Sequence, residues 1–226
     1  MVNTEWRGYR VLKAVLWDMD GVVADTEEAH LLAWQHFLAE RGRSVTAEQF
    51  ARTFGMANPA ILRLWFGDDL GEDEVRVWSA RKEALFRSYV PTHVRALPGA
   101  LAWLRRGRER GYRQAIASSG EMANIVAVVA ALEIGNRFDA LVSGAFLPRS
   151  KPDPIIFLQA AAAVGVSPKE CLVVEDGIVG VEAARRAGMR CVALTTTHPA
   201  ERLAGADLIV KDLSALDEEA VLALFG

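Results

Sequence analysis

The chain has 226 residues, of which 51% are hydrophobic and 24% charged, so it can bury a sizeable core and is not an intrinsically disordered chain. The net charge of −3 and the absence of a long basic run argue against nucleic acid as the main partner. No segment reaches the roughly 18 apolar residues that a membrane span needs, and Arg10 and Lys13 interrupt the apolar residues of the N-terminus. We therefore predict a cytoplasmic protein without a membrane partner or a secretory signal.

The first predicted strand covers residues 11–17 and runs directly into the sequence Asp18-Met19-Asp20-Gly21. Asp and Gly are common turn residues, so this segment alone is equally consistent with an ordinary turn. Two carboxylates at this spacing would lie on the same side of an extended strand. A chemical role depends on whether other segments bring partners to them.

Residues 26–93 contain no clear strand pattern and instead show helical patterns. These patterns cover residues 26–42, 46–55, 58–67 and 72–90. Thr46 and Asn58 are residue types that commonly cap helix N-termini. We predict a helical cap domain at residues 26–93, inserted into an α/β core domain formed by residues 1–25 and 94–226. An insert after the first strand would lie over the carboxyl ends of the strands, where open α/β sheets bind ligands.

Further strand patterns follow the helical segment at residues 113–118, 140–143, 171–175, 190–195 and 207–210. The helical patterns among them end at Gly111, Gly165 and Gly188, because glycine readily takes the conformation that stops a helix. Apolar strands that alternate with helices predict a Rossmann-like α/β fold with a parallel sheet covered on both faces. The two cysteines, Cys171 and Cys191, fall in these apolar runs and are expected to be buried free thiols.

Polar residues lie at or beyond the carboxyl ends of three of the later strands, at Ser118, Ser119, Lys151, Glu175 and Asp176. Each has an ordinary explanation, since serine caps helices, a lone lysine is usually solvated, and acidic residues suit a helix start. In a parallel sheet, however, the carboxyl ends of all strands meet at one edge. These groups would therefore join the two aspartates that follow the first strand.

Four carboxylates in one crevice repel one another unless a cation lies among them. All-oxygen ligands suit a hard ion, and Mg²⁺ is the usual one beside phosphate. A lysine and a hydroxyl beside the ion could hold a phosphate, which leaves one aspartate to act as nucleophile and the other as acid and base. The sequence therefore predicts a Mg²⁺-dependent site for phosphoryl transfer.

Four segments in this order resemble the motifs of the haloacid dehalogenase-like superfamily. They are "DMDGVVAD", "ASS", "KPDP" and "EDGIVGVEAARRAGM". The chain is similar in particular to the β-phosphoglucomutase-like and phosphatase branch, whose members carry a small helical cap. The resemblance covers the chain from Val11 onward, and it implies a hydrolase that acts on a small phosphorylated metabolite.

The resemblance implies that Asp18 attacks phosphorus and forms an aspartyl-phosphate, while Asp20 protonates the leaving oxygen and then activates water. The implied Mg²⁺ ligands are Asp18, Asp20, Glu175 and Asp176. Asp20 would contribute its backbone carbonyl, and Glu175 would be a fourth ligand or would lie just outside the ligand set. The implied phosphate-binding residues are Ser118, Ser119 and Lys151. Dehalogenases of this superfamily need no Mg²⁺ and generally lack the second aspartate, so the motifs argue against dehalogenation.

Residues of the predicted cap bear on the choice between a phosphatase and a phosphosugar mutase. His30, Trp34 and Lys82 match the mutase pattern, and Gly55 and Asn58 are further candidate residues of the cap at the substrate site. Helix packing is an equally good explanation for His30 and Trp34. A mutase must also hold a second phosphate, and β-phosphoglucomutases do so with a cap arginine and with a lysine after the second motif.

In this chain the two places hold Asn58 and Glu121. Glu121 would repel a second phosphate unless a cap cation such as Arg52 or Arg63 compensated for it. We therefore predict a Mg²⁺-dependent phosphatase that hydrolyses small phosphomonoesters, with sugar phosphates as expected substrates. The alternatives are a β-phosphoglucomutase-type mutase and, from another class, a non-catalytic phosphate-binding or regulatory module. A binding module needs no nucleophile, which disfavours the latter.

Overall fold

Eight strands and nine α-helices occur in the part of the chain that a computed structural model describes, residues 11–53 and 55–226. The strands are β1 (Ala14–Trp17), β2 (Ala24–Asp25), β3 (Arg95–Ala96), β4 (Arg113–Ser118), β5 (Ala140–Ser143), β6 (Cys171–Glu175), β7 (Arg190–Leu194) and β8 (Leu208–Val210). The helices are α1 (Glu27–Ala39), α2 (Ala47–Ala51), α3 (Asn58–Phe66), α4 (Glu72–His93), α5 (Ala100–Glu109), α6 (Met122–Ala131), α7 (Ile155–Ala163), α8 (Ile178–Arg186) and α9 (Glu218–Ala223). Arg10, on which the expectation about a secretory signal partly depends, lies outside the described residues.

Six of the strands form one parallel sheet in the order β5-β4-β1-β6-β7-β8. The first strand, β1, therefore lies in the middle, between β4 and β6. Alternate residues of β1 point to opposite faces, because Val15 and Trp17 belong to one buried cluster and Ala14 and Leu16 to another. Helices α5 and α6 contribute to the first cluster, and α7 and α8 contribute to the second. The prediction of a Rossmann-like parallel sheet covered on both faces is confirmed.

All six predicted strands are present in the structure. The first begins at Ala14 rather than at residue 11, and β7 and β8 are each one residue shorter than predicted. Gly111, Gly165 and Gly188 follow helices α5, α7 and α8 with φ angles of +76°, +70° and +70°. A left-handed residue directly after a helix stops it, so the predicted helix ends are confirmed.

Helices α1 to α4 lie between β2 and β3, and none of the described residues there joins the six-stranded sheet. Strands β2 and β3 pair antiparallel through Ala24 and Ala96, which holds the two ends of the insert side by side. Phe37 packs edge-on against the rings of Trp34, Phe66 and Trp78 in the interior of the insert. The helical character of the segment is thus observed, while its boundaries as a separate domain, residues 26 and 93, stay a prediction.

One of the two predicted helix caps is present. The Thr46 hydroxyl accepts a hydrogen bond from the Gln49 N–H, and the Gln49 side chain accepts one from the Thr46 N–H. The prediction for Asn58 is wrong, because Ala57 is the N-cap of α3 and Asn58 is its first residue. The Asn58 side chain instead donates to Glu83 on helix α4, at 2.6 Å.

Two further expectations concern composition rather than architecture. Cys171 and Cys191 are buried and free, as predicted. Among the helices of residues 11–53 and 55–226, none combines the length and the apolar character that crossing a membrane requires.

Candidate active site

Asp18 and Asp20 lie in the turn that follows the central strand β1. The Asp18 N–H donates to the carbonyl of Val174 on the neighbouring strand β6, at 3.0 Å, which ties the turn to the sheet edge. The strand ends at Trp17, as predicted, so Asp18 and Asp20 follow the strand and strand alternation does not by itself fix their relative orientation. Asp20 is oriented instead by Thr26, whose hydroxyl donates to Asp20 Oδ1 at 2.5 Å.

Lys151 connects the first motif to the last. Its ammonium donates to Asp18 Oδ1 and to Glu175 Oε1, the latter at 2.6 Å, and its side chain is 7% exposed. Burial disfavours the charged form of this lysine, but Asp18 and Glu175 raise its pKa above the usual value. Lys151 is therefore a fixed positive charge beside the proposed nucleophile.

Glu175 is the last residue of strand β6, and both of its carboxylate oxygens accept hydrogen bonds. Oε1 accepts from Lys151, and Oε2 accepts from the backbone N–H groups of Asp176 and Gly177 at 2.9 and 2.8 Å. Helix α8 leaves room for this carboxylate at Gly180, where a Cβ would lie 1.8 Å from Oε1. Both oxygens of Glu175 are thus engaged within the protein, which fits a role outside the ligand set better than direct ligation.

Asp176 lies against the first motif. A Cβ on Gly21, which has a φ of +75°, would lie 2.0 Å from Asp176 Oδ2, so the backbone of the first turn passes directly over this carboxylate. The Thr197 hydroxyl donates to the same oxygen. Burial raises the pKa of Asp176 to about 7, and Glu175 adds to the rise.

The pKa of Asp18 is also raised well above its usual value. Burial is the main cause, Lys151 opposes it, and Glu175 and Asp176 add to it. Burial likewise raises the pKa of Asp20, with Thr26 acting in the opposite direction. These carboxylates thus outnumber the single lysine among them, and a further cation would stabilise their charged forms.

Ser118 ends strand β4 beside this cluster, and its hydroxyl accepts from the Gly120 N–H at 3.1 Å. The end of β5 supports the loop, because the Ser143 hydroxyl donates to the Gly120 carbonyl at 2.6 Å and the Gly144 N–H donates to the Ser118 carbonyl at 2.8 Å. The neighbouring Ser119 is exposed. The predicted hydroxyls therefore lie at the carboxyl edge of the sheet in a loop held from both sides.

A buried polar network joins the insert to the helix after β4. Lys82 Nζ lies 2.8 Å from His30 Nδ1 and donates to Glu83 Oε1 at 2.9 Å. Glu83 Oε1 also accepts from Asn58, and Glu83 Oε2 accepts from Asn124 of helix α6, at 2.5 Å. Burial and then Lys82 lower the pKa of His30 well below its usual value, so the neutral ring can accept from the lysine.

Glu83 is the charged centre of this network. Burial acts to raise its pKa, but Lys82 and its hydrogen-bond donors together lower the pKa to about 2. Glu83 in turn raises the pKa of Asp20, and Lys82 lowers it. The predicted cap residues Lys82, His30 and Asn58 are therefore brought together near Asp20, the predicted acid.

Of the other two predicted cap residues, Trp34 borders this network, because the Lys82 ammonium lies 5.3 Å from the centre of its ring. Trp34 is 1% exposed and packs edge-on against Trp65, at 5.1 Å between ring centroids, which favours helix packing over contact with a substrate. Gly55 is exposed, and a Cβ there would meet no atom within 4 Å.

Glu121 has a cationic partner that differs from the predicted candidates. Arg87 on helix α4 lies 3.4 Å from Glu121 and donates to Asn124 Oδ1 at 2.8 Å. Arg52 instead pairs with Glu48, and Arg63 pairs with Glu72. The cation that lies beside Glu121 is thus Arg87, whereas Arg52 and Arg63 are paired with other acids.

The oxygen atoms of this site fit a Mg²⁺ ion that is held by a few protein oxygens and by water molecules. In the described part of the chain, no group of three or more His, Cys, Asp or Glu side chains has metal-binding geometry. Mg²⁺ is commonly bound through one or two carboxylates together with waters, and it does not need a cage of protein ligands. Asp18 and Asp176 supply two carboxylates at one edge, and the Asp20 carbonyl can supply a backbone oxygen.

Three residues that orient the predicted site, Thr26, Glu83 and Thr197, are not among the site residues predicted from the sequence. A signal existed for Thr197, because Thr196 and Thr197 directly follow the strand predicted at residues 190–195, at the same edge of the sheet. Glu83 follows Lys82 directly in a predicted helix, but nothing in the sequence indicates that it is buried.

The chain is similar to known proteins over most of its length. The family model described as haloacid dehalogenase-like hydrolase matches residues 12–188. Beta-phosphoglucomutase of Bacillus subtilis is 33% identical over 219 residues, which cover 92% of this chain and 93% of that protein. Validoxylamine A 7'-phosphate phosphatase of Streptomyces hygroscopicus is 30% identical over 208 residues, which cover 89% of this chain and 94% of that protein.

A longer relative and two solved structures extend these comparisons. Protein SUPPRESSOR OF QUENCHING 1 of Arabidopsis thaliana is 34% identical over 194 residues, and the match covers 82% of this chain but 18% of that protein. A beta-phosphoglucomutase structure from Clostridium difficile has a TM-score of 0.82 at 24% identity and covers 95% of this chain and 97% of its own. CbbY of Rhodobacter sphaeroides in complex with phosphate has a TM-score of 0.84 at 24% identity and covers 94% of this chain and all of its own. At these identities the two structures support the fold alone.

Proposed function

The chain belongs to the haloacid dehalogenase-like hydrolase family and is a phosphoric monoester hydrolase, and we propose that it is a Mg²⁺-dependent phosphatase of small sugar phosphates. The observation that carries the proposal is the contact of Lys151 with both Asp18 and Glu175, beside an Asp20 that Thr26 orients. This arrangement supplies a nucleophile, an acid–base group and a fixed positive charge at one edge of the sheet.

In the first step Asp18 attacks phosphorus, and the bond between phosphorus and the leaving oxygen breaks. Asp20 gives its proton to that oxygen, so the leaving group departs as a neutral alcohol. Lys151 and Ser118 hold the phosphoryl oxygens, whose negative charge the ammonium offsets. The raised pKa of Asp20, which burial causes, suits it to donate a proton near neutral pH.

In the second step water attacks the phosphorus of the aspartyl-phosphate. Asp20, now ionised, removes the proton from this water, and the bond between phosphorus and Asp18 breaks. Inorganic phosphate leaves, and both aspartates return to their starting protonation states. The same residue thus serves as acid and then as base.

Asp18, Asp176 and the carbonyl of Asp20 would hold Mg²⁺, which would offset the negative charge of the carboxylates and of the phosphoryl oxygens. Glu175 would keep Lys151 and the backbone after β6 in place from outside the ligand set. The helical insert, as a cap, would exclude bulk water during the first step, and its opening would admit water for the second.

A specific observation keeps a mutase as the second candidate, namely the 33% identity to a beta-phosphoglucomutase. A mutase needs a cationic place for a second phosphate. Asn58 is bound to Glu83, and Arg87 lies between Asn124 and Glu121. The charges of Arg87 and Glu121 cancel, so a dianionic second phosphate finds no surplus of positive charge there. An uncharged, hydroxyl-bearing leaving group suits this place better.

The test is a Mg²⁺-dependent phosphate-release assay across sugar phosphates and other small phosphomonoesters. The same preparation is assayed with β-glucose 1-phosphate and catalytic glucose 1,6-bisphosphate, with glucose 6-phosphate as the measured product. We expect phosphate release to exceed glucose 6-phosphate formation. Glucose 6-phosphate forming much faster than free phosphate would overturn the phosphatase proposal in favour of the mutase.

Placing positive charges at positions 58 and 121 tests whether a second phosphate would bind there. The double variant Asn58→Arg with Glu121→Lys should bind glucose 1,6-bisphosphate more tightly than the wild type. A matched control is Arg52→Lys, which keeps the charge of an exposed arginine that pairs with Glu48. Unchanged bisphosphate binding in the double variant would mean that the second phosphate site lies elsewhere.

A further inference from the structure

Two threonines after strand β7 contact the two turns that carry the proposed Mg²⁺ ligands. The Thr197 hydroxyl donates to Asp176 Oδ2, and the Thr196 hydroxyl donates to the carbonyl of Gly21 at 2.6 Å. Gly21 follows Asp20 directly, and Asp176 follows β6. The loop after β7 therefore bridges the first and the last motif from outside the sheet edge.

These contacts are closely packed. A Cβ on Gly21 would lie 2.0 Å from Asp176 Oδ2 and 3.1 Å from the Thr197 hydroxyl. The Asp176 carboxylate is thus confined between the backbone of the first turn and the threonine. Within the described residues, hydrogen bonds to Asp176 Oδ2 come from Thr196 and Thr197, and none reaches Oδ1.

We propose that Thr197 is a positioning residue that orients the Asp176 carboxylate for Mg²⁺, by occupying Oδ2 and leaving Oδ1 for the ion. This inference rests on the proposed Mg²⁺-dependent function. A hydroxyl that donates to one carboxylate oxygen restricts rotation of the group, and partners of this kind commonly change metal affinity about 10- to 100-fold when they are removed. Thr196 supports the arrangement by holding the Gly21 carbonyl, which fixes the turn against which Asp176 packs.

The test compares Thr197→Val, which removes the hydroxyl at nearly constant volume, with Thr197→Ser, which retains it. Mg²⁺ binding to each purified protein is measured by isothermal titration calorimetry without substrate. We expect Thr197→Val to bind Mg²⁺ about 10-fold more weakly than the wild type and Thr197→Ser to bind within about twofold. Because Thr197 is exposed, the thermal unfolding midpoints of both variants should differ little from that of the wild type.

The dependence of activity on Mg²⁺ concentration gives a second test. In Thr197→Val the Mg²⁺ concentration for half-maximal activity should rise, while kcat at saturating Mg²⁺ stays near the wild-type value. Equal or tighter Mg²⁺ binding in Thr197→Val would overturn the inference, since the hydroxyl would then be neutral or would compete with the ion. Failure of the wild type itself to bind Mg²⁺ would instead contradict the proposed function, so the two outcomes are distinguishable.

Discussion

Replacing Gly180 by alanine should disturb the proposed active site, although Gly180 is not itself one of the proposed catalytic residues. A Cβ at this position of helix α8 would lie 1.8 Å from Glu175 Oε1 and 2.0 Å from Glu175 Cδ. Ordinary contact begins at 3.4 Å, so the carboxylate must retreat by about 1.6 Å. Both of its oxygens are engaged, with Lys151 and with the N–H groups of Asp176 and Gly177.

The magnitude follows from these contacts. Breaking a buried ion pair by removing one partner costs about 3–5 kcal/mol, and alanine regains up to ~1 kcal/mol over glycine in a helix interior. The net loss is about 2–4 kcal/mol, which lowers the unfolding midpoint by about 5–15 °C in a chain of this size. Because the ammonium of Lys151 also shifts, we expect kcat to fall by at least ~10-fold.

The assays are thermal unfolding followed by circular dichroism and steady-state phosphate release. Gly135→Ala is the matched control, because the Cβ there would meet its nearest atom at an ordinary 3.6 Å. This control should unfold within about 2 °C of the wild type and keep its kcat. If Gly180→Ala unfolded and turned over like the control, the packing of Glu175 against helix α8 would not hold Lys151 in place.

Three further predictions concern the carboxylates. Asp18→Asn should abolish turnover while leaving circular dichroism unchanged, and excess chelator should do the same to the wild type; activity in either case would contradict the covalent Mg²⁺-dependent mechanism. Asp20→Ala should slow alkyl phosphate hydrolysis by at least ~10²-fold, and a wild-type kcat would remove Asp20 from the mechanism. The pKa of Glu83 is lowered from 4.5 to about 2, so this group stabilises the fold above pH 4.5 and loses that effect as the pH falls towards 2. At about 1.4 kcal/mol per unit the effect amounts to about 3 kcal/mol, and urea unfolding should show the stability difference between wild type and Glu83→Gln shrinking from pH 6 to pH 3. A constant difference would show that Glu83 is not held as a buried carboxylate.

Helix and strand positions were predictable because local patterns determine them. Apolar runs placed all six strands of the sheet, and glycines after α5, α7 and α8 marked the helix ends. Thr46 was predictable as a cap because its partner Gln49 lies within the same turn. Asn58 was not, since the partner that draws its side chain away is Glu83, on a different helix.

The orientation of the two aspartates also depended on long-range contacts. Strand alternation appeared sufficient to align Asp18 and Asp20, but the strand ends at Trp17. Their positions are determined instead by a backbone bond to Val174 and by the hydroxyl of Thr26. The sequence pattern placed the end of this strand correctly at Trp17, but it does not show which contacts orient the side chains that follow.

The sequence by itself determined that the polar motif residues meet at one edge of the sheet. The reason is that parallel strands present all their carboxyl ends on the same side, whatever their order. Only the tertiary structure decided which side chains pair there, with Thr197 on Asp176, Arg87 beside Glu121, and Glu83 between the insert and helix α6. These pairs join segments that are far apart along the chain. Their formation depends on distances and burial that arise only when the helices pack, because a buried carboxylate is stable only where donors surround it.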